Sequence, residues 1–197
     1  MHKIAEKLKF FGEFLRSPKM VGSIVPTSPS VIDGLLSSVD WGRTELFVEY
    51  GPGVGTFTRP VLERLRPDAQ LVAIDTSRNF IDYLAKTISD PRLTLVHGSA
   101  ADVESIAAEF AGERQANYVL SGLPFSTLPE GVGDAIAAAT SRILAPEGAF
   151  LVYQYSGFVL PLLRPHFPEI SKEWIWRNVP PCMITAARKH CVAMARS

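Results

Sequence analysis

The stretch Leu46-Phe47-Val48-Glu49-Tyr50-Gly51-Pro52-Gly53-Val54-Gly55 constrains this chain more than any other. A short apolar run ends in an acid and then in three glycines at alternate positions, the pattern of a strand running into a tight turn whose backbone is open to a ligand. Helical signals follow at once, with Phe57, Val61, Leu62 and Leu65 at helical spacing. The unit is therefore strand, glycine turn, helix. Glycine reaches φ > 0 freely and lets a ligand approach the main chain, and a helix N-terminus supplies unpaired N–H groups at the same place.

The pattern repeats. Leu71 to Asp75 is a second apolar strand ending in an acid, with Asp75 placed 26 positions after Glu49 and 20 after Gly55. In a nucleotide-type α/β site such an acid accepts hydrogen bonds from ribose hydroxyls. A helix capped at Ser77, a third strand Leu93–His97 running into Gly98-Ser99-Ala100, and a helix from Val103 to Phe110 come next. The fourth strand, Tyr118–Leu120, runs into Ser121-Gly122-Leu123-Pro124-Phe125, and a helix leads to a fifth strand, Ala149–Tyr155. Strands and helices alternating at these lengths specify a mainly parallel sheet with right-handed crossovers. Beyond Pro168, Glu173–Val179 and Cys182–Arg188 each alternate like strands across a Pro180-Pro181 corner. So short a connection makes them antiparallel neighbours.

With 197 residues, 47% of them apolar, the chain suits one well-buried domain. Lys plus Arg equals Asp plus Glu at 20 each, so no global electrostatic case for nucleic acid exists. Cys182 and Cys191, without a secretory signal, are expected as reduced packing residues, and no metal site is expected. The most apolar window, Ala145 to Leu163, is broken by Pro146, Glu147, Gly148, Gln154, Gly157 and Pro161, so a strand and a short helix fit it better than a span of ~20 apolar residues.

Residues 1–28 form a segment distinct from the domain at 29–197. Ile4, Leu8, Phe11 and Leu15 fall on helical spacing, Phe10 and Phe14 widen the stripe, and Lys3, Lys7, Lys9 and Arg16 border it. Such an amphipathic helix either packs on the domain core or lies in a membrane interface, its phenylalanines in the acyl boundary and its lysines on anionic headgroups. A loop with two prolines and a glycine leads from it to Ser28, an expected N-cap with Pro29 at the first helical position. The loop reads either as a lid or as a plain connection.

The glycine spacing, the acid after the second strand and the antiparallel final pair resemble the class I S-adenosylmethionine-dependent methyltransferases. The resemblance implies a Rossmann-like α/β fold with a seven-stranded, mainly parallel sheet and an antiparallel last strand, and S-adenosylmethionine as cofactor. Glu49, Gly51, Gly53, Gly55, Asp75, Gly98, Ser99, Ala100 and Ser121 match its cofactor-binding positions. Within the superfamily, the series from Arg16 to Ser28, Glu49 to Gly55, His97 to Val103, Ser121 to Pro124 and Trp176 to Pro181 resembles the bacterial phospholipid N-methyltransferases. These are membrane-associated enzymes that convert phosphatidylethanolamine stepwise toward phosphatidylcholine. The ribosomal RNA adenine dimethyltransferases are more distantly similar. Their turn after the fourth strand carries an Asn-Leu-Pro-aromatic motif; here Gly122 stands at the amide position, although Phe125 remains.

The resemblance thus implies a phospholipid substrate presented at an anionic membrane surface, no nucleic-acid partner, and no obligate protein partner. It also implies a cytoplasmic chain, peripheral on the cytoplasmic face of the membrane, with Lys3, Lys7, Phe10, Phe11 and Phe14 as the membrane contacts. Backbone carbonyls of Ser121, Gly122 and Leu123 are the expected acceptors that orient the substrate nitrogen. Tyr153 and Tyr155 are candidates for cation–π contact with the methylated product, or else sheet-packing residues. Trp174 and Trp176 share one strand face and are expected in the core or at an interface. Arg164, Arg177, Arg188 and Lys189 are candidate contacts for a lipid phosphate, and Asp102 a helix cap.

Overall fold

The computed structural model describes residues 28–176 and 181–189. The amphipathic segment with Lys3, Lys7, Phe10, Phe11 and Phe14, the loop before Ser28, and Arg177 lie outside the described residues.

Helix α1 (Pro29–Leu36) precedes strand β1 (Leu46–Tyr50), followed by α2 (Thr58–Arg64), β2 (Gln70–Asp75), α3 (Arg78–Thr87), β3 (Leu93–His97) and α4 (Val103–Ala111). The chain continues through β4 (Ala116–Ser121), α5 (Val132–Ile143), β5 (Leu144–Gln154), α6 (Leu160–Leu163), β6 (Glu169–Ile175) and β7 (Cys182–Arg188). One seven-stranded sheet results, in the order β3-β2-β1-β4-β5-β7-β6. The pairs among β1 to β5 are parallel, and β7 pairs antiparallel with both β5 and β6.

Every residue of β1 is buried, as an apolar run covered by helices on both sides requires. On one face Val31 and Leu35 of α1 and Val61 of α2 meet Phe47, Leu71 and Leu151. On the other, Val103 and Ile106 of α4, Ile136 of α5 and Leu163 of α6 meet Val48, Val72, Phe150 and Val152. Leu35 is fully buried, so truncation to Ala costs about 2–5 kcal/mol.

Two elements differ from the sequence expectation, and for one residue pair the structure decides between two readings. β5 begins at Leu144, not Ala149, because Ala116 pairs with Leu144 before the register shifts and Tyr118 pairs with Ala149. β6 begins at Glu169, not Glu173, and has no buried residue, so its pairing is set by β7 and not by an apolar pattern. Trp174 and Trp176 are not core residues: their rings stack on one another at 5.7 Å, and Trp176 is 73% exposed. Ser28 is the N-cap of α1 with Pro29 inside it, but its side chain makes no capping bond; its hydroxyl pairs with that of Ser30 instead. Asp102 likewise precedes α4 without a side-chain cap bond.

The strands run outward from β1 to β3 on one side and from β4 to β7 and β6 on the other. The reversal lies between β1 and β4, and a crevice opens there beyond the carboxyl ends of the strands, where ligands bind in folds of this kind.

Candidate active site

Glu49 lies at the end of β1, within the sheet, and is 1% exposed. Its Oε2 accepts a 2.7 Å hydrogen bond from the Thr58 hydroxyl at the start of α2. Burial pushes its pKa up from 4.5 to about 7; the Thr58 bond works against the rise and nearby Asp75 adds to it. A carboxyl held so close to neutrality by desolvation is poised to respond to a cationic ligand.

The glycine turn follows. Gly51, Gly53 and Gly55 all have positive φ, at 65°, 54° and 87°, the region in which glycine carries no Cβ penalty. Gly51 N–H donates to Ile74 O and Gly55 N–H to Pro52 O, which pins both ends of the turn. A side chain on Gly55 would come within 2.9 Å of Leu84, whereas the space beside Gly53 is open. The turn therefore presents bare backbone to the crevice at its middle.

Asp75, at the end of β2, borders the same turn. It accepts from Ser77 N–H at 2.8 Å and from Gly53 N–H at 3.4 Å. Burial raises its pKa, opposed by these two bonds and by His97. One strand further out, Gly98 N–H donates to Asp75 O, and Ser99 Oγ accepts from Ala101 N–H ahead of buried Ala100. His97 Nε2 lies 3.1 Å from Thr76 O, so the ring is held at the rim.

The opposite wall comes from β4 and β5. Gly122 N–H donates to Tyr50 O, which ties the turn after β4 to the end of β1. Leu123 N–H donates to Ser121 Oγ. The Leu123 carbonyl accepts from Gln154 Nε2 and from Phe125 N–H, each at 3.0 Å. The Leu123 carbonyl is thus engaged within the fold.

Tyr153 lies against Gly122: a Cβ built there would meet the Tyr153 hydroxyl at 2.7 Å and the ring at 2.9 Å. The Tyr153 ring packs at 4.8 Å on Phe57. Glu49, Gly51, Gly53, Val54, Phe57 and Tyr153 all line the crevice, together with Leu120 and Gly122.

The fold thus brings Glu49, Gly51, Gly53, Gly122 and Tyr153 to one opening, with Asp75 beside the turn, whereas Gly55, Gly98, Ser99, Ala100 and Ser121 do not line it. Tyr155 is half-buried against the cluster under α1 and α2 and does not line the crevice. Arg188 and Lys189 point to a different edge: Arg188 is in register with Ala149, and Lys189 Nζ donates to Leu144 O. They are far from the crevice because β7 runs antiparallel. Thr58, Phe57 and Gln154 contribute although no sequence signal singles them out, since each acts through a partner on another element that no local pattern announces. Among the described residues no cluster of three or more His, Cys, Asp or Glu is placed to hold a metal. Cys182 is buried beside β5, its thiol pushed up to about 11 by desolvation.

Comparison with known proteins decides the kind of site. Residues 47–148, just over half of the chain, match the family model described as a methyltransferase domain. This chain belongs to that family. S-adenosylmethionine is accordingly the cofactor, and the residues at the crevice are of a kind that fits it: open backbone at Gly53, with the Glu49 carboxyl beneath the turn and the Asp75 carboxyl beside it.

The ornithine lipid N-methyltransferase of Singulisphaera acidiphila is 26% identical over 178 residues, covering 87% of this methyltransferase and 90% of that protein. Ribosomal RNA small subunit methyltransferase A of Burkholderia thailandensis is 31% identical over 116 residues, covering 58% of this chain and only 41% of that protein. Among solved structures, precorrin-6y C5,15-methyltransferase from Geobacter metallireducens aligns with a TM-score of 0.65 at 16% identity, over 85% of this chain and 92% of that one. An N-methyltransferase from Bradyrhizobium japonicum aligns at 0.62 and 14% identity, over 81% and 92%. These two likenesses bear on fold alone.

Proposed function

We propose that this methyltransferase transfers methyl groups to the amino headgroup of a membrane phospholipid, phosphatidylethanolamine and its methylated forms, toward phosphatidylcholine. The observation that carries the reading is the contact of Gly122 with Tyr153. Because the Tyr153 hydroxyl fills the space beside Gly122, the turn after β4 has room for a side-chain amide such as the one in the RNA adenine dimethyltransferase motif only if Tyr153 moves away. Acceptors for the substrate nitrogen come instead from the Ser121 and Gly122 carbonyls. The half-buried Tyr153 ring, backed by Phe57, offers a π face to an ammonium that becomes more alkylated at each step.

S-adenosylmethionine, when bound, supplies a methyl already activated as a sulfonium. The protein's part is to hold a neutral amine in line and keep water out. The ammonium headgroup first gives up a proton to water. Ser121 and Gly122 would then hold the nitrogen lone pair in line with that methyl, the C–S electron pair leaving with sulfur as the N–C bond forms. Similarity along nearly the whole chain to an ornithine lipid N-methyltransferase supports an amino lipid as acceptor. The membrane association is peripheral, the bilayer being met on its cytoplasmic, anionic face through the basic aromatic segment at Lys3–Phe14. No helix among the described residues is long and apolar enough to cross a membrane.

The relationship to ribosomal RNA methyltransferases makes RNA the second reading. Labelled cofactor offered with phosphatidylethanolamine vesicles, ornithine lipid vesicles and 16S-type RNA separates the cases. Label in phosphatidylethanolamine is the expected result; label in RNA alone overturns the proposal, and label in ornithine lipid alone corrects the headgroup.

A further inference from the structure

Five large apolar side chains are exposed among the described residues: Val54, Phe110, Phe158, Trp174 and Trp176. Their distribution is uneven. Val54 sits in the glycine turn beyond β1, Phe158 follows the end of β5 by four residues, and Trp174 and Trp176 close β6. These four crowd the edge of the sheet onto which the crevice opens. Only Phe110, whose carbonyl accepts from Gln70 at the start of β2, marks the other edge.

Sheet register places the tryptophans directly. Trp174 is paired with Met183, and Met183 with Gln154, whose amide holds the Leu123 carbonyl at the site. Trp174 therefore stands in the same row as the acceptor turn, about 10 Å along the sheet from Gln154. The opposite edge is charged and internally neutralised, with Arg43 against Glu147, Arg66 against Asp68, and Arg92 against Asp90, all in or beside the segments that lead into parallel strands. Four of the five exposed large apolar side chains thus lie where the site opens, among exposed charges such as Lys172 and Glu173, and these three ion pairs lie where it does not.

We infer that the aromatic edge rests on a phospholipid bilayer, with Trp174, Trp176, Phe158 and Val54 entering the boundary between headgroups and acyl chains. Tryptophan suits that depth because its ring is apolar while its indole N–H keeps a polar partner. A soluble substrate would gain nothing from such a rim. A lipid kept in its bilayer gains a great deal, because the crevice mouth then lies at headgroup level and the acyl chains need not leave the membrane. This surface is built from described residues of the domain and fixes the orientation of the crevice on the bilayer. Its purpose rests on the amino-lipid reading above; its test does not.

The protein has three tryptophans, and Trp41 stacks on Phe47 at 5.9 Å, so Trp41→Phe leaves Trp174 and Trp176 as the only indole reporters. The full-length variant is mixed with vesicles of phosphatidylethanolamine and phosphatidylglycerol, with and without dibrominated acyl chains. Strong quenching by the brominated lipid is expected. In the Trp174→Ser/Trp176→Ser double variant, vesicle partition should fall about tenfold while S-adenosylmethionine affinity, which reports an intact domain, is unchanged. Unquenched tryptophans overturn the inference whether or not the protein sediments with the vesicles, as does unchanged partition of the double variant. Quenching without methylation of any lipid would uphold the surface and remove the lipid from the role of substrate.

Discussion

Replacing Glu49 by Gln should make the unliganded protein more stable at neutral and alkaline pH. Glu49 is fully buried, and its pKa rises from 4.5 to about 7 because desolvation outweighs the Thr58 bond. An acid whose pKa is raised by folding binds more protons in the native than in the unfolded state between those two values, so stability falls as pH climbs through that window. A shift of this size corresponds to about 3 kcal/mol, fully felt above pH 7 and absent below about 4.5. The glutamine amide keeps an oxygen for the Thr58 hydroxyl and carries no charge to bury. The difference in urea-unfolding free energy between variant and wild type, followed by fluorescence across pH, should be near zero at acid pH and reach about 3 kcal/mol by pH 8, a Tm rise of roughly 6–10 °C. Subtracting one curve from the other leaves Glu49 together with its coupling to Asp75, which titrates in the same direction. A flat difference, or a variant less stable than wild type at pH 8, would refute the argument that burial dominates at this site. Cofactor binding should respond in the opposite sense: a cationic ligand favours the charged carboxylate, so wild-type affinity should rise with pH until about 7, and E49Q should bind weakly at every pH.

Gly55→Ala forces a Cβ at φ 87° to within 2.9 Å of Leu84 and should cost about 1–3 kcal/mol in chemical denaturation. Asp75→Asn removes the charge beside the Gly53 and Ser77 amides; calorimetry should show S-adenosylmethionine affinity weakened about tenfold or more, with little change in Tm. Gly122→Ala displaces Tyr153 and should lower kcat/KM for the lipid by at least about tenfold, and adding Tyr153→Ala should relieve the clash without restoring the rate, since the ring packed on Phe57 is then lost.

The elements buried on both faces are legible in the sequence, because β1 and β2 are continuous apolar runs whose terminal acids stand out against them. The glycine turn is legible for a related reason: three alternate glycines serve no purpose inside a regular element. Local pattern fails where a residue's role is set by a distant partner. Tyr153 is separated from Gly122 by 31 positions, and neither residue alone announces that one fills the space left by the other. Thr58 reads as an ordinary residue at the start of a helix until β1 sets Glu49 beneath it. The sequence pattern starts β6 four residues late because its exposed side chains impose no alternation, and of the two places that Trp174 and Trp176 suggest, a core or an interface, the structure excludes the core. The tryptophans illustrate that periodicity tells which residues share a face but not whether that face is covered.

The position of β7 bears on how the chain is made. β7 is the last of the strands to leave the ribosome, yet it lies between β5 and β6. Until Cys182–Arg188 has emerged, the outer edge of β5 presents unpaired amides and carbonyls, and β6, already synthesised, has nothing to lie against. The half of the sheet that carries Tyr153 and Gln154 is therefore completed last, and a nascent chain halted before β7 would hold a formed glycine turn beside an open strand edge prone to foreign pairing.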